Sequence, residues 1–224
     1  MPRSKVATLE QALAKCHDGM TVMLGGFTNV GSPNKFCRAL ADTGIKDLHI
    51  IANDAGNDKA DGIGTFIVEG RASSLVASHV GLNPKVAEQM NAGTLAVTLV
   101  PQGTLAERIR CGGTGLGGVL TPTGVGTIVE DSPLCLGKQT IDGKEYLLMK
   151  PLHADFALVN AYKIDKAGNM WYKGTTRNFN VVAATAADVV IAEADNLVEI
   201  GAIEPENVVT PGAYIKYIVD GGKA

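Results

Sequence analysis

The sequence predicts an α/β fold: an open, mainly parallel sheet sandwiched by helices, with one small antiparallel excursion. Its strand-like runs are continuously apolar rather than alternating, which suits strands covered on both faces, and helical patterns separate several of them. A single Asp142-Gly143 pair between KQTI and KEYLLM is a hairpin signal and places the antiparallel excursion near residues 138–149.

The elements follow in chain order. Thr8-Leu-Glu-Gln11 has the form of a capping box; Leu9, Ala12, Leu13 and Cys16 then share one helical face, and Gly19 ends the helix. Residues 21–24, TVML, are a short β-branched and apolar strand. Ser32 looks like an N-cap, Pro33 sits at the first helical position where its missing N–H costs nothing, and Gly44 lies past the end. Further strands are expected over 48–52, 75–79, 95–100, 156–161 and 189–192. Helices are expected over 33–43, 84–91 and 104–110, the last opened by a second capping box, Thr104 to Glu107. Residues 214–219 read equally as one more strand or as an interface segment.

At 224 residues the chain can bury roughly 70% of the surface it exposes when unfolded, so a self-sufficient core is feasible. Nothing in 1–224 marks a linker, repeat or charge block, and the chain reads as a single domain. Hydrophobic residues at 46% and charged residues at 19% argue against disorder. A net charge of -3 argues against a large phosphate-tracking surface, and so against nucleic-acid binding. No apolar run approaches a membrane span and residues 1–8 lack the apolar core of a secretory signal, which points to the cytoplasm. Cys16, Cys37, Cys111 and Cys135 are widely spaced without a C-x-x-C, so reduced, mostly buried thiols are expected.

Between the first strand and the next helix lies a glycine-rich turn, Gly25, Gly26, Phe27, Thr28, Asn29, Val30 and Gly31. Glycines there allow positive φ and close approach of backbone to a ligand, and N–H groups at the helix start favour anionic groups. From these residues alone, a ligand loop and a plain tight connection are equally good readings.

Asp18, Gly19, Val22 to Leu24, Gly25, Gly26, Phe27, Gly31 and Pro33 resemble the signature of the family I coenzyme A transferases, in their α subunit or N-terminal half. The resemblance continues through IANDAG from Ile51, ASHVG from Ala77, PQGTLAERIRCGGTG from Pro101, TPTGVGT from Thr121 and RNFN from Arg177. It implies the α/β/α fold of that family, with coenzyme A held by Gly25 to Gly31. It also implies a substrate pocket at Asn53, Asp54, Gln102, Gly112 and Gly113. In that family a glutamate attacks the acyl-CoA thioester and then carries CoA as a glutamyl thioester, without metal or redox cofactor; CoA is a substrate. The glutamate lies in a Ser-Glu-Asn-Gly motif that is absent here, and Pro205-Glu206-Asn207-Val208 does not replace it. The resemblance thus implies an α subunit with no catalytic nucleophile of its own. The glutamate would come from a β subunit in an α2β2 heterotetramer acting on a short-chain acyl-CoA and a carboxylic acid such as acetate, butyrate or succinate with acetoacetate. A single-chain sugar-phosphate isomerase of similar fold and an anion-sensing module are the alternatives.

Read by their own chemistry, Asn53 and Asp54 follow one strand end and Gln102 another, the edge where open α/β sheets bind ligands. Local turn capping explains Asn53 and Asp54 as well. Some relatives carry two asparagines where this chain has Asn53-Asp54, and an ionised Asp accepts hydrogen bonds but cannot donate them. Gly113-x-Gly115-x-x-Gly118 matches a dinucleotide fingerprint in letters, but a helix precedes it and a Pro-Thr-Gly loop follows, the reverse of the order such a site needs. It is expected to be a loop. The four histidines show no metal-ligand spacing. Arg108 and Arg110 read either as ligands of a carboxylate or phosphate or, the favoured reading, as one residue paired with Glu107 or solvent and one interface support. The block from Arg177 to Asn180 either belongs to the site or stabilises a loop.

Overall fold

The computed structural model describes residues 3–222. Met1 and Pro2, part of the stretch 1–8 read above, and Lys223 and Ala224 lie outside the described residues. In chain order the first half comprises α1 (Leu9–Leu13), β1 (Thr21–Leu24), α2 (Asn34–Asp42), β2 (Leu48–Ala52), α3 (Ile63–Val68), β3 (Ala72–Ala77), α4 (Pro84–Asn91), β4 (Ala96–Leu99) and α5 (Gln102–Thr114). The second half comprises β5 (Val119–Thr121), β6 (Cys135–Ile141), β7 (Lys144–Met149), β8 (Ala154–Asp165), β9 (Met170–Trp171), α6 (Asn180–Ala183), β10 (Ala187–Val198) and β11 (Tyr217–Asp220).

Seven strands pair in parallel in the order β11-β10-β8-β1-β2-β3-β4, and β9 adds an antiparallel pairing to β8. Alternation along the central strands sorts side chains to the two faces. Val22 and Leu24 of β1 pack with Phe36 and Leu40 of α2, Phe66 of α3 and Val86 of α4. Met23, between them, packs on the other side with Leu105 and Ile109 of α5 and Ala183 of α6. Both faces are therefore apolar, which is why the strands read as unbroken apolar runs.

The antiparallel excursion is a separate three-stranded sheet, β5-β7-β6. Ile141 pairs with Lys144 across Asp142 (φ 50) and Gly143 (φ 76), the two-residue hairpin expected of an Asp-Gly pair. The sheet begins earlier than the expected 138–149, because β5 and the first half of β6 carry no alternation that marks them in sequence.

Several expected boundaries shift. The capping box at Thr8 is present, but α1 stops at Leu13 rather than running to Gly19. The expected strand 75–79 is Ala72–Ala77, leaving His79 outside β3 in an isolated bridge to Asp54. β8 and β10 each run twelve residues, well beyond 156–161 and 189–192. Their polar ends pair with each other, Lys163 with Asn196 and Asp165 with Val198, a contact invisible to either segment alone. The second capping box does not form: α5 begins at Gln102, and Thr104 is buried inside its first turn. Of residues 214–219 only the last three join a strand, Tyr217–Asp220, parallel to β10, and Tyr214 closes a 3₁₀ turn, Gly212–Tyr214.

All four cysteines are free thiols, Cys37 and Cys111 buried and Cys16 and Cys135 partly so. Among the described residues, no helix is long and apolar enough to cross a membrane, and no cluster of His, Cys, Asp and Glu is placed to hold a metal ion.

Candidate active site at the centre of the sheet

From β1 the chain moves through β2, β3 and β4 in one direction, whereas β8, β10 and β11 lie on its other side. The order reverses beside β1, and the crevice beyond the carboxyl ends of strands at such a reversal is where open α/β sheets bind ligands. The Gly25–Gly31 turn leaves β1 at that point. Gly25 donates its N–H to Leu158 O of β8 at 2.9 Å, and the chain then turns back on itself. Phe27 and Val30 exchange backbone hydrogen bonds of 3.1 and 2.9 Å across Thr28 (φ 46) and Asn29 (φ 68). Two consecutive left-handed residues are what a type I′ turn requires, and Thr is poorly suited to that region because of its branched Cβ. Such a residue stores about 1–3 kcal/mol of strain unless its surroundings hold it.

Two neighbouring segments hold the turn. Asn180 is fully buried at the start of α6; its Nδ2 donates to Gly31 O (2.9 Å) and Thr176 O (2.8 Å), and its Oδ1 accepts from Asn160 N–H (2.9 Å). Asn178 Nδ2 donates to Val30 O at 2.8 Å. The Arg177-Asn-Phe-Asn180 block therefore works as a clamp on the turn. Close packing accounts for the glycines: a Cβ on Gly25 would lie 2.7 Å from Asn180 Cγ, one on Gly26 (φ +110) 3.3 Å from Ser32 Cα, and one on Gly31 (φ +73) 2.8 Å from Thr176 O.

From the other side a relay of side chains reaches the turn. Gln102 Nε2, on the first residue of α5, donates to Asn53 Oδ1 at 2.8 Å. Asn53 Nδ2 donates to Asp54 Oδ2 at 2.7 Å, and the same oxygen accepts from Thr28 N–H at 2.8 Å. Asp54 Oδ1 accepts from Gly56 N–H at 2.8 Å, and Ser78 Oγ donates to Asn53 O at 2.7 Å. Asn53, Asp54 and Gln102, from two strand ends, are thus one connected network. Asn53 and Asp54 are buried, 2% and 4% exposed, whereas Gln102 is exposed. The Asp54 carboxylate takes no donor role here; it accepts in all three of its hydrogen bonds.

The start of α2 differs from expectation. Ser32 does not cap it; the N-cap residue is Pro33. The buried Glu193 carboxylate of β10 takes this place, accepting from Phe36 N–H at 2.7 Å and from Lys35 N–H at 3.4 Å. The helix start is therefore already neutralised by a carboxylate of the chain itself, and its first free donors are closed to an external anion. An acidic residue inside the apolar strand run IAEAD was the signal for this in the sequence. Among the described residues, the N–H groups of Gly26, Asn29 and Gly31 are the turn's donors without a hydrogen bond. The crevice bounded by Gly25–Asn29, Ser32, Asn53, Asp54 and Ile63 has a volume of about 10 Å³, barely enough for one water. The turn itself therefore encloses no room for a substrate.

Gly112 and Gly113 are not in a loop. They occupy the last turns of α5, where a Cβ on Gly112 would lie 2.6 Å from Leu152 C and one on Gly113 2.7 Å from Thr185 O. At 1.5 Å per helical residue they stand about 15 Å from Gln102, so the network does not include them. Arg110 pairs with Glu107 at 2.8 Å. Arg108 is fully buried; its Nε donates to Lys150 O at 2.6 Å, and burial pushes its guanidinium down to about 10. It ties α5 to the strand leaving the small sheet. Glu206 lies exposed in a 3₁₀ turn, Pro205–Asn207.

Comparison with known proteins follows the same outline. Residues 6–221 match the family described as coenzyme A transferase. The chain is 49% identical over 219 residues to the acetate CoA-transferase subunit alpha of Escherichia coli K12, covering 97% of both chains. It is 48% identical over 216 residues to the acetoacetyl-CoA:acetate/butyrate CoA transferase alpha subunit of Clostridium acetobutylicum, covering 96% of this chain and 97% of that one. Among solved structures, an acyl-CoA transferase from E. coli O157:H7, in a thioester complex with CoA, superposes on 98% of this chain with a TM-score of 0.85 at 21% identity. This chain spans 47% of that longer one. Glutaconate coenzyme A-transferase from Acidaminococcus fermentans gives a TM-score of 0.83 at 19% identity, over 97% of this chain and 75% of that one. With a family match over nearly its whole length and relatives near half identical, the chain belongs to the coenzyme A transferase family.

Proposed function

We propose that the chain is the α subunit of a CoA-transferase that exchanges CoA between a short-chain acyl-CoA and a carboxylic acid, acetate, butyrate or succinate with acetoacetate. The carrying observation is the turn at the centre of the sheet. It presents three unpartnered N–H donors above a crevice with almost no volume, beside an exposed Gln102. The buried carboxylates near it, Asp54 and Glu193, already accept backbone donors. This is half of a site: donors for an oxyanion, with the nucleophile to come from the partner β subunit in an α2β2 assembly.

In the proposed sequence a partner glutamate attacks the thioester carbonyl. The carbonyl oxygen becomes an oxyanion held by Gly26, Asn29 or Gly31 N–H groups, and collapse releases the CoA thiolate and leaves an acyl-glutamyl anhydride. The thiolate then attacks the glutamyl carbonyl, releasing the first acid and leaving a glutamyl-CoA thioester. The acceptor acid takes CoA by the reverse path. Gly25 to Gly31 would lie along CoA, and Asn53 and Gln102 beside the acid, with Asp54 behind them. Enclosure between two subunits keeps water from the anhydride. The neutralised start of α2 weighs against a phosphate seat there, and so against a sugar-phosphate isomerase or an anion sensor. The four free thiols suit a reducing compartment, and we place the assembly in the cytoplasm.

The test is to purify the chain natively, identify any co-purifying chain, and incubate the assembly with acyl-CoA without acceptor. Hydroxylamine or borohydride then traps the thioester, and the mass change is expected on a glutamate of the second chain. Stoichiometric modification of this chain, or turnover by it alone, overturns the division of labour.

A further inference from the structure

We propose that Asp54 is a positioning residue: it holds the Phe27–Val30 turn in its left-handed form and, through Asn53, sets that turn and Gln102 as one unit. Its activity readout rests on the transferase reading above. Every hydrogen bond of the Asp54 carboxylate is one it accepts: Oδ2 from Thr28 N–H (2.8 Å) and Asn53 Nδ2 (2.7 Å), and Oδ1 from Gly56 N–H (2.8 Å). An amide in its place turns an N–H toward at least one of these donors, so only an acceptor-only group satisfies the site. The residue is 4% exposed and its oxygens face the chain's own donors, an arrangement for holding backbone rather than for touching substrate.

What it holds is the least favourable residue of the turn. Thr28 at φ 46 is β-branched and left-handed, and Asn29 at φ 68 follows it. The Asn29 side chain is held too, its Nδ2 bonded to Asp61. On its far side Asp54 is anchored by a rigid neighbour: Gly56 is left-handed (φ +64) and so close to Gly64 that a Cβ there would lie 2.6 Å from Gly64 N. The anchor therefore fixes the carboxylate, the carboxylate fixes Thr28 N–H, and the unpartnered donors of Gly26, Asn29 and Gly31 point where the turn directs them. Asn53 extends the same fixing to Gln102, which it accepts from at 2.8 Å. The contact makes loop donors and amide move together, so a shift at one end of the relay misplaces the other.

The experiment uses the chain with its partner and compares wild type, Asp54→Asn, and Asp54→Asn combined with Thr28→Gly. Glycine adopts positive φ without strain and needs no holding. Asp54→Asn is expected to lower kcat at least tenfold with the assembly intact, and Thr28→Gly added to it is expected to recover at least half of that loss on a logarithmic scale. If Asp54→Asn fails to assemble, the double variant is expected to assemble. Hydrogen exchange gives a readout independent of turnover: the Thr28 amide should exchange at least tenfold faster in Asp54→Asn, with Val22 and Met23 in β1 unchanged. Wild-type kcat in Asp54→Asn, unchanged Thr28 exchange, or a double variant no better than the single one overturns the proposal. A wild-type complex without CoA transfer refutes the transferase reading instead, and the exchange measurement still judges Asp54.

Discussion

Gly25→Ala isolates the clamp on the glycine-rich turn, because Gly25 is not in the left-handed region and the substitution adds one methyl without backbone strain. That methyl would lie 3.2 Å from Asn180 Cα and 2.7 Å from Asn180 Cγ, and nearer still to Oδ1. The Asn180 amide must therefore swing away. Its departure breaks the bond from Asn160 N–H (2.9 Å) and those to Gly31 O (2.9 Å) and Thr176 O (2.8 Å), all around a fully buried side chain. A hydrogen bond contributes about 1 kcal/mol net, and an orphaned buried N–H costs about 1–3 kcal/mol. The expected loss is about 2–4 kcal/mol, which for a chain of this length lowers Tm by roughly 5–15 °C. Differential scanning calorimetry of the chain measures it. Gly103→Ala is the control, since no atom lies within 4 Å of a Cβ there; it should be neutral or slightly stabilising in a helix. The decisive comparison is Gly25→Ala with Asn180→Ala, in which the new methyl occupies space the amide has left. The double variant should lose clearly less than the two single losses added together. A Gly25→Ala Tm within about 2 °C of wild type, or strictly additive losses, refutes the clamp.

Gln102→Ala should leave the assembly intact and lower its turnover about a hundredfold, the usual effect of removing one positioned amide donor; an unchanged rate with every candidate acid returns Gln102 to a turn-stabilising role. Burial pushes the Cys16 thiol and the Tyr172 hydroxyl each up to about 12. Both are neutral acids in the folded chain that ionise earlier when unfolded, so their stabilisation is complete below about pH 9 and lost as pH rises toward 12. Tm should fall over that range, and Cys16→Ala should flatten the fall; an unchanged slope refutes the assignment to Cys16.

The elements legible in the sequence are those whose signal is local. β1 and β2 are short apolar runs between turn residues, Pro84 opens α4 at the expected residue, and Asp142-Gly143 turns the hairpin it predicts. The site's backbone was legible for the same reason, since glycines clustered after a strand mark a turn that needs positive φ. The relay was legible only as three polar residues past strand ends. Gln102 lies on a different segment from Asn53 and Asp54, and nothing in the spacing says that it bonds to Asn53 or that Asp54 reaches Thr28.

The sequence alone therefore determined the α/β class, the order of its elements, the turn at 25–31 and the family, because periodicity, turn chemistry and motifs are written in neighbouring residues. Only the tertiary structure decided the roles that depend on pairing across the chain. Glu193 caps α2 in place of Ser32, Asn178 and Asn180 clamp the turn, and Asp54 accepts three donors. It also decided that Gly112 and Gly113 let α5 pack closely on its neighbours. In each case at least one buried donor or acceptor, or a missing side chain, is matched by a group some 20 to 160 residues away. The physical reason is that burial obliges such groups to find partners but does not say which. That choice falls to the sheet, when it brings β1, β2, β8 and β10 side by side.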